Sequence, residues 1–139
     1  MSYTPQILIV EDEPAVRDLL SRALAEDGYS VTALGTARQA LRAVQDSYFE
    51  LIILDMSLPD ADGMELVRQI HSDVPYTKLL AISGMMVGCV PGAARAAGAD
   101  SVIIKPTTGR NVCEAIRLLL GQKERSAAHS SYPVTELLL

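Results

Sequence analysis

The chain has 139 residues, 49% of them apolar, and a formal net charge of −5. That length corresponds to one domain with ample apolar content for a buried core, and an acidic balance without a block of like charge argues against a nucleic-acid surface in this chain. Cys89 and Cys113 have neither metal-type spacing nor a secretory context and read as reduced thiols packed like small apolar groups.

The N-terminus reaches a first strand, Gln6 to Val10, within a few residues and lacks the charged and apolar regions of a signal peptide, so a cytoplasmic location is expected. Pro14 is tolerated in a first helical turn, and Val16, Leu19, Leu20, Ala23 and Leu24 follow at helical spacing until Gly28 closes the helix. A second strand, Tyr29 to Leu34, leads to Thr36 as a cap and to a helix with Ala37, Ala40, Leu41 and Val44 on one face. The third strand, Leu51 to Leu54, has no polar alternation, as a parallel strand covered on both faces requires. Past Asp55, the segment Met56 to Gly63 carries loop residues, and Leu66, Val67 and Ile70 mark a third helix.

A fourth strand runs from Lys78 to Ile82 and a fifth from Ser101 to Ile104. The uncharged stretch from Leu79 to Ala94 between them is too short for a membrane span and is broken by Gly84, Gly88, Pro91 and Gly92, so no membrane association is expected. Only Pro91 to Ala97 reads as helix there, with Gly98 as its stop. A last helix, Arg110 to Leu120, ends at Gly121. The alternation predicts an α/β fold, a doubly wound five-stranded parallel sheet, over residues 1–121. Residues 122–139 turn polar and then apolar, too short for a second domain, and are expected to be a tail or linker.

Four of the apolar runs end on residues able to do chemistry: Glu11 and Asp12 after the first, then Asp55, Ser83 and Lys105. Parallel strands would deliver all of them to one carboxyl-end edge, where open α/β sheets bind ligands. Taken alone, Glu11 and Asp12 fit better as acids placed at a helix start, where they meet the macrodipole. Their meaning changes if Asp55 lies beside them, which requires the first and third strands to be neighbours, as in the flavodoxin-like order 2-1-3-4-5. Three ionised carboxylates about 5 Å apart would repel by about 3 kcal/mol per pair at an effective dielectric near 20, so the cluster needs a cation or raised pKa values. Oxygen-only ligands favour a hard ion such as Mg2+, which bridges carboxylates to phosphate oxygens. Lys105 could neutralise a phosphoryl oxygen, Ser83 could donate a hydrogen bond to another, and Asp55 is the candidate nucleophile for an acyl phosphate. Taken singly, Lys105 reads equally as an ion-pair partner and Ser83 as a turn cap.

In order and spacing, the segments ILIVEDEPAVRDLL, LIILDMSLPDADGMELVRQI, AISG and AGADSVIIKP resemble the receiver domain of two-component response regulators, over about residues 6–121. The resemblance implies that a sensor histidine kinase or phosphotransfer protein phosphorylates Asp55. It implies magnesium held by Asp12, Asp55 and the backbone carbonyl of Ser57, with Glu11 acting through water. Lys105 would contact the phosphoryl group ahead of a cis peptide to Pro106, and Ser83 would move toward that group on activation. The domain would catalyse only its own phosphorylation and dephosphorylation. It would signal to an output protein or attached effector domain through the face from the fourth to the fifth helix, with a homodimer as a further option.

The chain departs from the family pattern in that output region. Val102 stands where relatives carry an aromatic three residues before the lysine, and Met85, beside Met86 and Val87, stands where a polar residue is common. These four residues are the expected switch and output positions. A receiver-like module that binds a partner without switching is the main alternative. A magnesium phosphohydrolase would want an acid where Ser57 stands, and a flavin site would not place Glu11, Asp12 and Glu13 against a phosphate.

Overall fold

A computed structural model of the protein describes residues 3–84 and 91–122. Five strands, β1 (Gln6–Val10), β2 (Ser30–Leu34), β3 (Leu51–Asp55), β4 (Lys78–Gly84) and β5 (Ser101–Lys105), alternate with five helices. The helices are α1 (Pro14–Glu26), α2 (Ala37–Asp46), α3 (Gly63–Asp73), α4 (Pro91–Ala97) and α5 (Gly109–Leu119). The strands form one parallel sheet in the order β2-β1-β3-β4-β5. This is the doubly wound, flavodoxin-like arrangement that the alternation predicts.

Sequence sets the two faces of that sheet. Every residue of β3 is buried, since helices cover both sides and leave no solvent face for polar alternation. Leu8, Val10, Ile52, Leu54, Leu79 and Ala81 point to one side, where they meet Ala40 and Val44 of α2, Leu66, Val67 and Ile70 of α3, and Ala94 of α4. Ile7, Ile9, Leu51, Ile53, Leu80 and Ile82 point to the other, against Leu20 and Leu24 of α1 and Val112, Cys113 and Ile116 of α5. Cys113 is buried in the apolar core, its Sγ 3.8 Å from the Ala23 carbonyl, while Cys89 lies outside the described residues. Among the described residues no helix is long and apolar enough to cross a membrane.

The helix boundaries follow the local signals closely. Pro14 opens α1, and Thr36 caps α2 by accepting a hydrogen bond from the Gln39 amide. The glycines read as helix stops, Gly28, Gly98 and Gly121, adopt φ of 97°, 130° and 68°. Glu11 and Asp12 do not cap α1. The residue at that cap is Glu13, which makes no side-chain capping bond, and the first turn holds no acid. β4 runs two residues past the expected Ile82, because the register that pairs Ile82 with Ile103 continues through Ser83 and Gly84 to Lys105.

At the carboxyl end of β3 the chain turns sharply into α3, and Gly63 makes that turn possible. A Cβ at this position would lie 2.5 Å from the backbone oxygen of Met56 and 3.0 Å from its Cα. Backbone cannot step aside as a flexible side chain can, so the Gly63→Ala variant should lose about 2 kcal/mol of stability in urea unfolding. An unchanged midpoint would show that the turn yields freely.

Candidate functional site

The strand order brings β1 beside β3 and places Val10 opposite Leu54, so Glu11 and Asp12 leave the sheet next to Asp55. Carboxylate oxygens of Glu11, Asp12 and Asp55 all lie within 4.8 Å of one another. Glu11 and Asp55 are 3% and 4% exposed, whereas Asp12 is open to solvent. Across the sheet, Lys105 ends β5 and reaches back, its Nζ lying 3.4 Å from Glu11 Oε1 and 3.8 Å from Asp55 Oδ2. Lys105 therefore joins the cluster instead of pairing with a distant acid. The peptide from Lys105 to Pro106 is cis.

Each buried carboxylate is held by the turn that follows it. Asp55 Oδ1 accepts hydrogen bonds from the Ser57 amide at 3.0 Å and the Ser57 hydroxyl at 2.8 Å. Glu11 Oε2 accepts one from the Glu13 amide at 3.2 Å. Ser83 is fully buried at the end of β4, and its hydroxyl donates to the Gly84 carbonyl at 3.2 Å. It stands on the strand that pairs with β3, one residue beyond the Ile82 that faces Asp55.

The crowding of acids is resolved by a proton. Burial, a hydrogen bond to Asp55 and the Asp55 charge together push Glu11 up to about 8, against the smaller opposing pull of the Glu13 amide and Lys105. Burial also acts to raise Asp55, but the hydrogen bond from Glu11, those from Ser57 and the Lys105 charge outweigh it and hold this carboxyl below its ordinary value. At neutral pH, Glu11 is the proton donor and Asp55 the anion. A buried carboxylate kept charged at a strand end, beside an ammonium, has the charge that a nucleophile needs and a counter-charge in place.

Of the residues picked out in the sequence, Glu11, Asp12, Asp55, Ser57 and Lys105 meet in one cluster, and Ser83 lies on the neighbouring strand. Val102 pairs with Ala81 and packs, half-buried, against the core on the α2, α3 and α4 side, two residues below Ile104, which is 37% exposed. Met85, Met86 and Val87 lie outside the described residues. Two participants have no sequence signal at this level: Arg17, whose Nη1 donates to the Glu11 carbonyl at 2.8 Å, and Asp60, which accepts the first two amides of α2 at 3.0 and 3.2 Å.

An open parallel sheet with an acidic cluster and a lysine at its topological switch point defines a family of signalling domains. Residues 7–117 match the family model of the response regulator receiver domain, and the chain belongs to that family, a part of two-component systems. It is 31% identical to the transcriptional regulatory protein AruR of Pseudomonas aeruginosa, an alignment that covers 99% of this chain and 58% of the relative. It is 34% identical to the transcriptional regulatory protein BaeR of Escherichia coli, over 84% of this chain and 48% of the relative. The chain thus spans about half the length of the curated relatives it matches. Among solved structures, a CheY-like response regulator receiver domain protein from Methanospirillum hungatei superposes with a TM-score of 0.79 at 31% identity, covering 86% of this chain and 95% of that one. The receiver domain of NtrX from Brucella abortus does so with a TM-score of 0.77 at 28% identity, covering 84% and 99%.

Proposed function

We propose that this receiver domain, residues 1–121, accepts a phosphoryl group on Asp55 from a sensor histidine kinase or phosphotransfer protein in the cytoplasm, and thereby changes its contacts with an output protein or effector domain. The observation that carries this reading is the meeting of a buried, ionised Asp55 with Glu11, Asp12 and Lys105. An oxygen of Asp55 attacks phosphorus in line as the bond from phosphorus to the donor nitrogen breaks, leaving an acyl phosphate on the protein. Lys105 Nζ, already 3.8 Å from Oδ2, supplies positive charge to a phosphoryl oxygen. The Ser83 hydroxyl, which donates to the neighbouring Gly84 carbonyl at 3.2 Å, would turn toward a second oxygen.

The all-oxygen donor set fits a hard divalent cation. Asp12, Asp55 and the Ser57 backbone carbonyl would hold Mg2+, with Glu11 acting through water, and the ion would neutralise charge on the transferring phosphoryl group. This activity is confined to the domain's own phosphorylation and dephosphorylation. Residues 122–139 serve as a tail or linker. The output face runs over α4, β5 and α5, with Val102 in place of the aromatic of relatives, and Met85, Met86 and Val87, which precede α4 in the sequence, as further switch positions. A homodimer through the same face is a further partner.

Mass spectrometry after incubation of the chain with a small phosphodonor should give a single added phosphoryl group with magnesium present and none with EDTA. A chain that stays unlabelled with magnesium would return the reading to a receiver-like module that binds without switching.

A further inference from the structure

The two loops that carry the acidic cluster belong to different strands, yet both are fastened to a third place. After β1, the Glu11 amide donates to the Leu34 carbonyl at 3.0 Å, and the Glu11 carbonyl accepts from Arg17 Nη1 at 2.8 Å. The guanidinium of Arg17 lies against Gly35, where a Cβ would come within 2.9 Å of Nη1 and 3.9 Å of the Glu11 oxygen. After β3, Asp60 spans the gap with both carboxylate oxygens, one on the Ala37 amide and one on the Arg38 amide. These amides hold its pKa below the ordinary value. The meeting place, the β2–α2 junction, is itself locked: Thr36 accepts the Gln39 amide, and the Gln39 side chain accepts the Gly35 amide in return.

We propose that the β2–α2 junction, which contributes no side chain to the acidic cluster, sets the spacing between the two acidic loops, with Arg17 and Asp60 as the positioning residues. Arg17 fixes the peptide that joins Glu11 to Asp12, and with it the direction of the Asp12 carboxylate. Asp60 fixes the loop that begins with Asp55 and Ser57. The inference rests on the magnesium reading above and adds to it the residues that hold the ligands apart at the right distance. Groups that orient metal ligands without touching the metal typically contribute about ten-fold or more to affinity.

Charge separates positioning from a mere field effect. Removing the Arg17 cation would by electrostatics alone tighten binding of a divalent cation, whereas loss of positioning weakens it. Calorimetric titration of the full chain with magnesium chloride, with thermal unfolding in EDTA alongside, tests this on the Arg17→Gln, Asp60→Ala and Asp60→Asn variants. Arg17→Gln and Asp60→Ala should each raise the dissociation constant about ten-fold, and Asp60→Asn, which keeps one of the two acceptor oxygens but turns an NH2 toward the second amide, should fall between wild type and Asp60→Ala. Arg17→Gln binding as tightly as wild type or tighter, or Asp60→Asn as weak as Asp60→Ala, would overturn the proposal, as would lower stability in EDTA with unchanged affinity. A wild-type chain that binds no magnesium would overturn the metal reading itself, and this inference with it.

Discussion

The Asp55→Asn variant should take up no phosphoryl group from a small phosphodonor at any magnesium concentration, while wild type is labelled under the same conditions. An amide oxygen lacks the negative charge that makes the carboxylate a nucleophile, and no other carboxylate in the cluster can replace it. Glu11 is protonated at neutral pH and held by the Glu13 amide. Asp12 is open to solvent, without the paired hydrogen bonds from Ser57 that Asp55 receives. The isosteric amide keeps an acceptor for Ser57, so the fold should survive and circular dichroism should match wild type. Labelling of the variant at the wild-type rate would move the acceptor to another side chain.

The second large effect concerns pH and needs no phosphodonor. The Glu11 pKa is raised in the folded protein, to about 8, so between its ordinary value and about 8 the native state keeps a proton that the unfolded chain has released. Stability must then fall as pH rises through that window. Asp55 has the opposite sign: its lowered value contributes stability above the ordinary aspartate pKa, which is lost only as pH falls through the acid range. In EDTA, wild type should therefore be less stable at pH 8 than at pH 5. Glu11→Gln, whose amide N–H replaces the shared proton, should flatten this slope and be more stable than wild type at pH 8 by about 2 kcal/mol. The two proteins differ only at this side chain, so the difference between their curves isolates Glu11. Magnesium should reverse the wild-type trend, since the cation takes over what the proton does and stabilises the folded state by mass action. Parallel stability curves for wild type and Glu11→Gln between pH 5 and 8 would rule out the shared proton.

The elements and their order were legible because apolar runs, Gly stops and the Thr36 cap are local signals. Pro91 to Ala97 was readable as a short helix for the same reason, once Gly98 was taken as its end. The cluster was legible because parallel strands of known order must deliver their carboxyl-end residues to one edge. What sequence could not show is which of the three acids stays protonated. That depends on burial and on a few ångströms of separation, and Glu11, Asp12 and Asp55 look alike in one dimension. Asp60 was equally opaque. Its segment reads as an ordinary loop, and nothing in local spacing reveals that its carboxylate caps a helix more than twenty residues upstream. Arg17 sits on the polar side of an amphipathic pattern, where solvent exposure is the ordinary expectation.

The lower end of α5 is fastened to the opposite end of the molecule from the site. Arg117 Nη1 meets Asp27 Oδ2 at 2.7 Å in a nearly buried pair, and the Tyr29 hydroxyl donates to the Gln122 side chain at 2.6 Å. At the other end of the helix, Thr108 caps the first turn through the Asn111 amide, three residues past Lys105. Between these two anchors Val112, Cys113 and Ile116 are fully buried against the sheet, so α5 is a tie-bar that joins the carboxyl-end edge, where Lys105 stands, to the opposite edge of the sheet.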